Sequence, residues 1–293
     1  MSAYMKSLRD CISDAVSKKV AIGHFNISNL EGLWAVFDAA RQIGVPVIVG
    51  VSEGERNFVG VKQAVALVRS LREEFDFPIF LNADHTYSFE KVKEAVDFGF
   101  DAVIFDGTEL SFEENVKVTK ECVQYARSVN AEILVEGELG FIGKSSKILE
   151  GIPAGVKISE EHLTKDGDAV KFKNETDVDT LAPAIGNIHG MLKGGSDPAL
   201  NIERISSIKE AVSIPLVLHG ASGNSADDIR KAIKAGVAIV HVNTELRVAY
   251  RKALMLSLQE NPDEIAPYKY LKSSRFAMQK VAEEKLKIFN MIS

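Results

Sequence analysis

Cysteine is scarce in this sequence. Only Cys11 and Cys122 occur in 293 residues, far apart and on apparent helices. They give no disulfide framework and no zinc-finger spacing, and they point to a reducing compartment, the cytoplasm. An excess of positive charge is missing too: 35 Lys and Arg stand against 41 Asp and Glu, a net charge of -6. That argues against nucleic acid or an anionic membrane as partner. No apolar run is long enough to span a bilayer. Residues 1–10 lack the unbroken apolar core of a secretion signal. Finally, no Gly-x-Gly-x-x-Gly follows the first strand, which weakens an open dinucleotide-binding sheet.

What is present is a long β–α alternation. Apolar strands are predicted at 20–27, 46–52, 78–84, 102–107, 132–139, 180–186, 214–219 and 238–243. Amphipathic helices are predicted at 29–43, 59–75, 88–98, 112–129, 167–177 (weakly), 201–212, 225–235 and 244–259. Asn29, Ser88, Ser111 and Ser225 suit N-caps. Gly44, Gly99 and Gly236 suit helix ends. Eight units with continuous apolar strands imply a parallel sheet closed into a (β/α)8 TIM barrel, a single domain over residues 1–293. Two segments depart from the repeat. Residues 140–166 form a long connection rich in Gly, Ser and Lys, of the kind that is functional or mobile. Residues 274–290 form an additional C-terminal helix, expected to pack or to contact another subunit.

The stretch from Leu216 to Thr244 concentrates the polar punctuation. Leu216–Leu218 breaks into His219, Gly220, Ala221, Ser222 and Gly223, and the next strand breaks into His241, Asn243 and Thr244. Loops after the last two strands of such a barrel commonly hold a phosphate, through backbone N–H groups and a helix N-terminus. His85, His189 and His219 each end an apolar run beside a small or turn-forming residue. Alone, each reads as a half-buried, hydrogen-bonded histidine. Together on one barrel face they would make a three-histidine zinc site with an open position. Asp84 either joins that site, if the chain bends after it, or caps the turn that follows. Glu136 and Glu138 share one face of their strand, inward or outward, and periodicity does not choose. Asp106-Gly107-Thr108 reads as a second active-side loop or as a plain turn. His24 and His162 show no partners, and His162 is placed on the surface of the long connection.

Taken in order, these motifs resemble the class II, metal-dependent fructose-bisphosphate and tagatose-bisphosphate aldolases over nearly the whole chain. The resemblance rests on Phe25-Asn26, Ser52-Glu53-Gly54, Asp84-His85, residues 99–107 and 112–115, Val135-Glu136-Gly137-Glu138, Gly186-Asn187-Ile188-His189-Gly190, residues 218–223 and Asn243-Thr244-Glu245-Leu246. It implies a homodimer or homotetramer that cleaves a sugar phosphate, by default fructose 1,6-bisphosphate, to dihydroxyacetone phosphate and glyceraldehyde 3-phosphate. It implies Zn2+ on His85, His189 and His219, with Glu138 as an alternative ligand, and Asp84 handling the proton on the aldehyde oxygen. Substrate and phosphate contacts would fall to Asn26, Ser52, Gly190, Gly220, Ser222, Asn243 and Thr244. A monovalent cation, Na+ or K+, near Gly190 and Gly220 is common in the family.

Three departures stand out. His241 replaces the family's usual Asn. The long connection reads Gly143-Lys144-Ser145-Ser146-Lys147 where the family has Gly-Gly and an acid, so His241 or Glu150 is a candidate replacement base. Ala266-Pro267-Tyr268, with Lys269 next, replaces Asp-Pro-Arg, whose arginine grips the far phosphate. Lysine is a point charge without a fork, so the far end is read differently or carries no phosphate. Two other readings use the same residues: an aldolase for another ketose 1-phosphate, and a metal-dependent isomerase or epimerase that breaks no C–C bond.

Overall fold

A computed structural model describes residues 6–144, 146–194 and 197–292. Ser145 of the long connection lies outside them. The elements run α1 (Leu8–Lys18), β1 (Ile22–Asn26), α2 (Leu30–Ile43), β2 (Val47–Val51), α3 (Glu53–Val59), α4 (Val61–Phe75), β3 (Ile79–Thr86), α5 (Phe89–Phe98), β4 (Ala102–Phe105), α6 (Phe112–Val129) and β5 (Leu134–Leu139). They continue with β6 (Ile148–Leu149), α7 (Asp166–Thr176), β7 (Thr180–Pro183), β8 (Met191–Leu192), α8 (Ile202–Val212), β9 (Leu216–Leu218), α9 (Ala226–Ala235), β10 (Val237–Val242), α10 (Thr244–Glu260), α11 (Pro267–Tyr270) and α12 (Lys272–Phe289). Eight of the strands close into a barrel in the order β1-β10-β9-β7-β5-β4-β3-β2, every ladder parallel. This is the expected (β/α)8 TIM barrel.

Local chemistry sets the boundaries. Asn29, Ser88, Ser111 and Ser225 accept hydrogen bonds from the first turns of α2, α5, α6 and α9. Gly44, Gly99 and Gly236 end α2, α5 and α9 at positive φ, where a side chain would be strained. The single helix predicted from 59 is preceded by a short one. Gly60, at φ +93, separates α3 from α4.

Alternation along the strands divides the core into two layers. Outward residues such as Phe25, Val49, Leu81 and Val103 pack under the helices. Inward, Ile22, Ile48, Phe80, Leu134, Ala182, Val217 and Ile239 fill the lower barrel together with Leu8, Cys11, Ile12 and Ala15 of α1, which closes the bottom. Higher up, the inward residues turn polar. The C-terminal helix extends from Lys272 to Phe289 and buries Met278, Ala282, Leu286 and Phe289.

Candidate active site

The polar interior starts with His24 on β1, which pairs in register with His241 on β10. His24 is fully buried, and its ring lies parallel to that of His241, with centroids 3.5 Å apart and an interplanar angle of 3°. Asn82 on β3 contacts His24 Nε2 at 3.1 Å. Gly50 on β2 makes the room: a Cβ there would fall 2.2 Å from His24 Cε1. Burial pushes the His24 imidazolium down, to about 4. The expectation that His24 lacks partners is therefore corrected. The available signal was its spacing of two from Asn26, which puts both side chains on one strand face.

Above this layer the metal candidates converge. On β3 the register shifts between Ala83 and Thr86, and His85 sits at φ +38. That bulge lets Asp84 and His85, consecutive residues, serve one site. Asp84 caps no helix, since Ser88 caps α5. His189 follows β7, and its N–H donates to Ile142 at 2.8 Å. His219 follows β9, its carbonyl held by Asn187 at 2.9 Å. Gly220, at φ +64, permits this crossing of loops: a Cβ would meet the Ile188 carbonyl oxygen at 2.1 Å. One ligating atom each from His85, His189 and His219 lies within 4.8 Å of the others. The ring of His241 stacks on that of His219 at 4.1 Å. Four imidazoles thus form one column, His24, His241, His219 and His189, with His85 edge-on to the last two.

Carboxylates orient these rings. Both glutamates of β5 face inward and are buried. Glu136 Oε1 contacts His219 Nε2 at 2.6 Å. Glu138 Oε1 and Asp106 Oδ2 each lie 3.1 Å from His85 Nδ1, so the loop after β4 is an active-side loop. Asp84 Oδ2 accepts from Asn26 at 2.8 Å, and its Oδ1 lies 3.6 Å from His241 Nδ1. Burial disfavours charge on His85, yet Glu138, Asp84 and Asp106 hold it well above the usual histidine range. His219 is likewise lifted against burial by Glu138 and Glu136. His189 and His241 are pushed well down by burial and by neighbouring imidazoles. Burial opposes ionisation of Asp84 as well, but His85, His241 and His24 keep it a carboxylate.

This donor set fits a divalent cation. His219 Nδ1 is buried without a partner while Nε2 is fixed by Glu136, the carboxylate–histidine arrangement that presents a metal ligand. Asp84 Oδ1 and His241 Nε2 are also unpartnered. Four carboxylates surround the histidines, and no Lys or Arg lines the cavity among the described residues. A divalent cation would balance such a charge set in a low-dielectric interior in place of protons on His85 and His219.

Of the remaining sequence candidates, Asn26, Gly190, Gly220, Ser222, Asn243 and Thr244 line the cavity around Asp84 and the histidines. Ser146 joins them from the long connection, which β6 fastens to β8 by a parallel pairing, Ile148 opposite Met191. Ser52 does not line the cavity; its N–H and hydroxyl both donate to Glu55. Glu150 pairs with Lys193 at 2.8 Å and is 83% exposed, so it is turned away from the reacting groups. Lys269 pairs with Glu264 at 2.8 Å on α11. His162 is exposed, bonded to Ser159.

Eight parallel strands closed on themselves, with convergent polar side chains at their C-terminal ends, define an α/β-barrel enzyme scaffold. The chain belongs to the class II fructose-bisphosphate aldolase family, whose model, "Fructose-bisphosphate aldolase class-II", matches residues 6–292. That is a family of zinc-dependent lyases. Fructose-bisphosphate aldolases of Staphylococcus aureus and Geobacillus stearothermophilus are 37% and 36% identical over 289 residues, covering 97% of this chain and 96% of each relative. The solved YdjI aldolase of Escherichia coli K12 is 34% identical with a TM-score of 0.80, covering 96% of both chains. A putative fructose-1,6-bisphosphate aldolase of Coccidioides immitis is 26% identical with a TM-score of 0.77, covering 97% of this chain and 96% of that one. No helix among the described residues is long and apolar enough to cross a membrane.

Proposed function

We propose that this protein is a zinc-dependent aldolase that reversibly cleaves a ketose 1-phosphate to dihydroxyacetone phosphate and an aldehyde. The observation that carries the reading is the meeting of His85, His189 and His219 beside the phosphate-type loops at Gly220–Ser222 and Asn243–Thr244. Those three imidazoles would hold the ion, with Glu138 in reach as an alternative ligand. Zinc at that position supplies a Lewis acid that polarises the substrate carbonyl and stabilises the charge left by C–C cleavage.

The chain's own groups take the other tasks. Gly190, Gly220, Ser222, Asn243 and Thr244 would bind the phosphate of dihydroxyacetone phosphate, with N–H groups and the N-terminus of α10 favouring the anion. A monovalent cation, Na+ or K+, near Gly190 and Gly220 would add to that anchor. Asp84, ionised and with Oδ1 free, would accept the proton from the hydroxyl that becomes the aldehyde oxygen. Asn26 orients that carboxylate. His241, neutral and stacked between His24 and His219, is the candidate for moving the proton at the reacting carbon. No Schiff-base lysine is required.

Fructose 1,6-bisphosphate is the reference substrate, and other ketose 1-phosphates are its competitors. The two free, buried cysteines suit a cytoplasmic setting. Exposed apolar side chains around α10–α12, among them Ile265 and Tyr268, support a homodimer or homotetramer. The decisive measurement is turnover of candidate ketose phosphates with and without a chelator. Loss of cleavage on chelation and recovery with Zn2+ are expected; cleavage that persists in EDTA would overturn the metal mechanism. Proton exchange into dihydroxyacetone phosphate with no aldehyde release would instead favour the isomerase or epimerase reading.

A further inference from the structure

The first turn of α3 carries a buried anion beside the cavity. Ser52 and Glu55 have the Ser-x-x-Glu spacing of a capping box, which accounts for the Ser52 N–H bonded to Glu55 Oε2 at 2.8 Å. It accounts too for the Ser52 hydroxyl, a contact that the capping serines of α1 and α6 also make, and for nothing more. Glu55 is only 6% exposed and gathers three further donors beyond the box. Oε2 also accepts from the Ser52 hydroxyl at 2.9 Å and from Asn26 Nδ2 at 2.8 Å. Oε1 accepts from Ser28 Oγ at 3.3 Å and from Arg247 Nη2 at 2.5 Å. An amide N–H, two hydroxyls, a carboxamide and a guanidinium are what a protein assembles to hold a phosphate or carboxylate. Here the anion belongs to the chain itself.

Its position gives it a role. Asn26 is shared: its Nδ2 bonds Glu55 and Asp84 at 2.8 Å each, and it lines the cavity. Glu55 follows β2, which stands four strands from β7 in either direction around the ring. It is therefore across the barrel mouth from Gly190, three strands from the Gly220–Ser222 loop and two from the Asn243–Thr244 loop. On the aldolase reading a ketose anchored near Gly190 and Gly220 would bring its aldehyde oxygen to Asp84 of β3, the carboxylate that Asn26 joins to Glu55. Lys144 is engaged by Glu109 and Lys269 by Glu264.

Building on the aldolase reading above, we propose that Glu55 determines specificity. Its carboxylate fills the anion site at the aldehyde end, so the enzyme takes ketose 1-phosphates whose acceptor half is uncharged. A second phosphate would find its donors taken and meet a like charge in a poorly screened corner, and specificity of this kind comes from exclusion.

The test uses the full-length, zinc-loaded protein. Initial rates of aldol addition of dihydroxyacetone phosphate are compared for D-glyceraldehyde and D-glyceraldehyde 3-phosphate, in wild type, Glu55→Ala and Glu55→Gln. Wild type is expected to show a kcat/KM about tenfold or more higher for the uncharged aldehyde. Both variants should move that ratio about tenfold or more toward the phosphorylated one, chiefly through a lower KM. Melting temperatures establish that each variant is folded; Gln, of equal size and still able to accept from Ser52, carries the test where Ala does not fold. A wild type that prefers the phosphorylated aldehyde, or an unmoved ratio in a folded variant, overturns the proposal and leaves the aldolase reading standing. A wild type that joins dihydroxyacetone phosphate to neither aldehyde overturns both.

Discussion

Glu136 does not itself line the substrate cavity, yet it fixes the ring of His219, which does, at 2.6 Å. Groups that orient a metal-bound histidine in this way commonly set affinity by about 10–100-fold. Glu136→Gln should weaken zinc binding by that range while leaving the barrel folded, as read by competition with a chromogenic chelator and by circular dichroism. A second residue-scale effect lies far from the site. Burial raises the Cys122 thiol to about 12 from an ordinary 9.0. A raised folded-state value contributes stability in full below the unfolded value and loses it as pH climbs to the folded one. The window is therefore pH 9 to 12, and the loss has an upper bound of about 4 kcal/mol. Urea unfolding at pH 8 and pH 10.5 should show a smaller alkaline loss in Cys122→Ala than in wild type.

At the scale of elements, much was legible before any coordinates. Continuous apolar strands and helical periodicity, with Asn29, Ser88, Ser111 and Ser225 as starts and Gly44, Gly99 and Gly236 as stops, mark out the barrel because each signal is local. The histidines at strand ends were visible for the same reason. What stayed hidden depends on partners distant in sequence. His24 meets His241 across the β1–β10 seam, and Glu55 meets Arg247 across 192 positions. The orientation of Glu136 and Glu138 was open because alternation gives two faces without saying which is inside. The bulge that joins Asp84 to His85 has no residue signature at all. The C-terminal helix, expected to pack or to bridge subunits, buries Leu286 completely, near Gly23, where a Cβ would lie 2.8 Å from its Cδ2. Leu286→Ala should cost about 2–5 kcal/mol in equilibrium unfolding. A change within a few tenths of wild type would show that α12 is peripheral to the core.

At the scale of the whole molecule, the outer surface carries apolar side chains that none of the described residues covers. Ile265 is 88% exposed, Tyr268 76% and Phe276 55%. Burial of such groups between subunits would offset the cost of their contact with water. Sedimentation should show a dimer or tetramer, and Ile265→Asp with Phe276→Glu should shift it toward monomer. A wild-type monomer at micromolar concentration would remove the subunit-contact role of this surface.

The helix that plugs the floor has a kinetic consequence. With Leu8 and Ile12 of α1 set under the barrel strands, everything must arrive and depart through one doorway. On the aldolase reading the phosphorylated triose would lie deepest, against the histidines, behind its sister fragment. The aldehyde would then leave first, and product-inhibition patterns should record an ordered exit with dihydroxyacetone phosphate as the last to go.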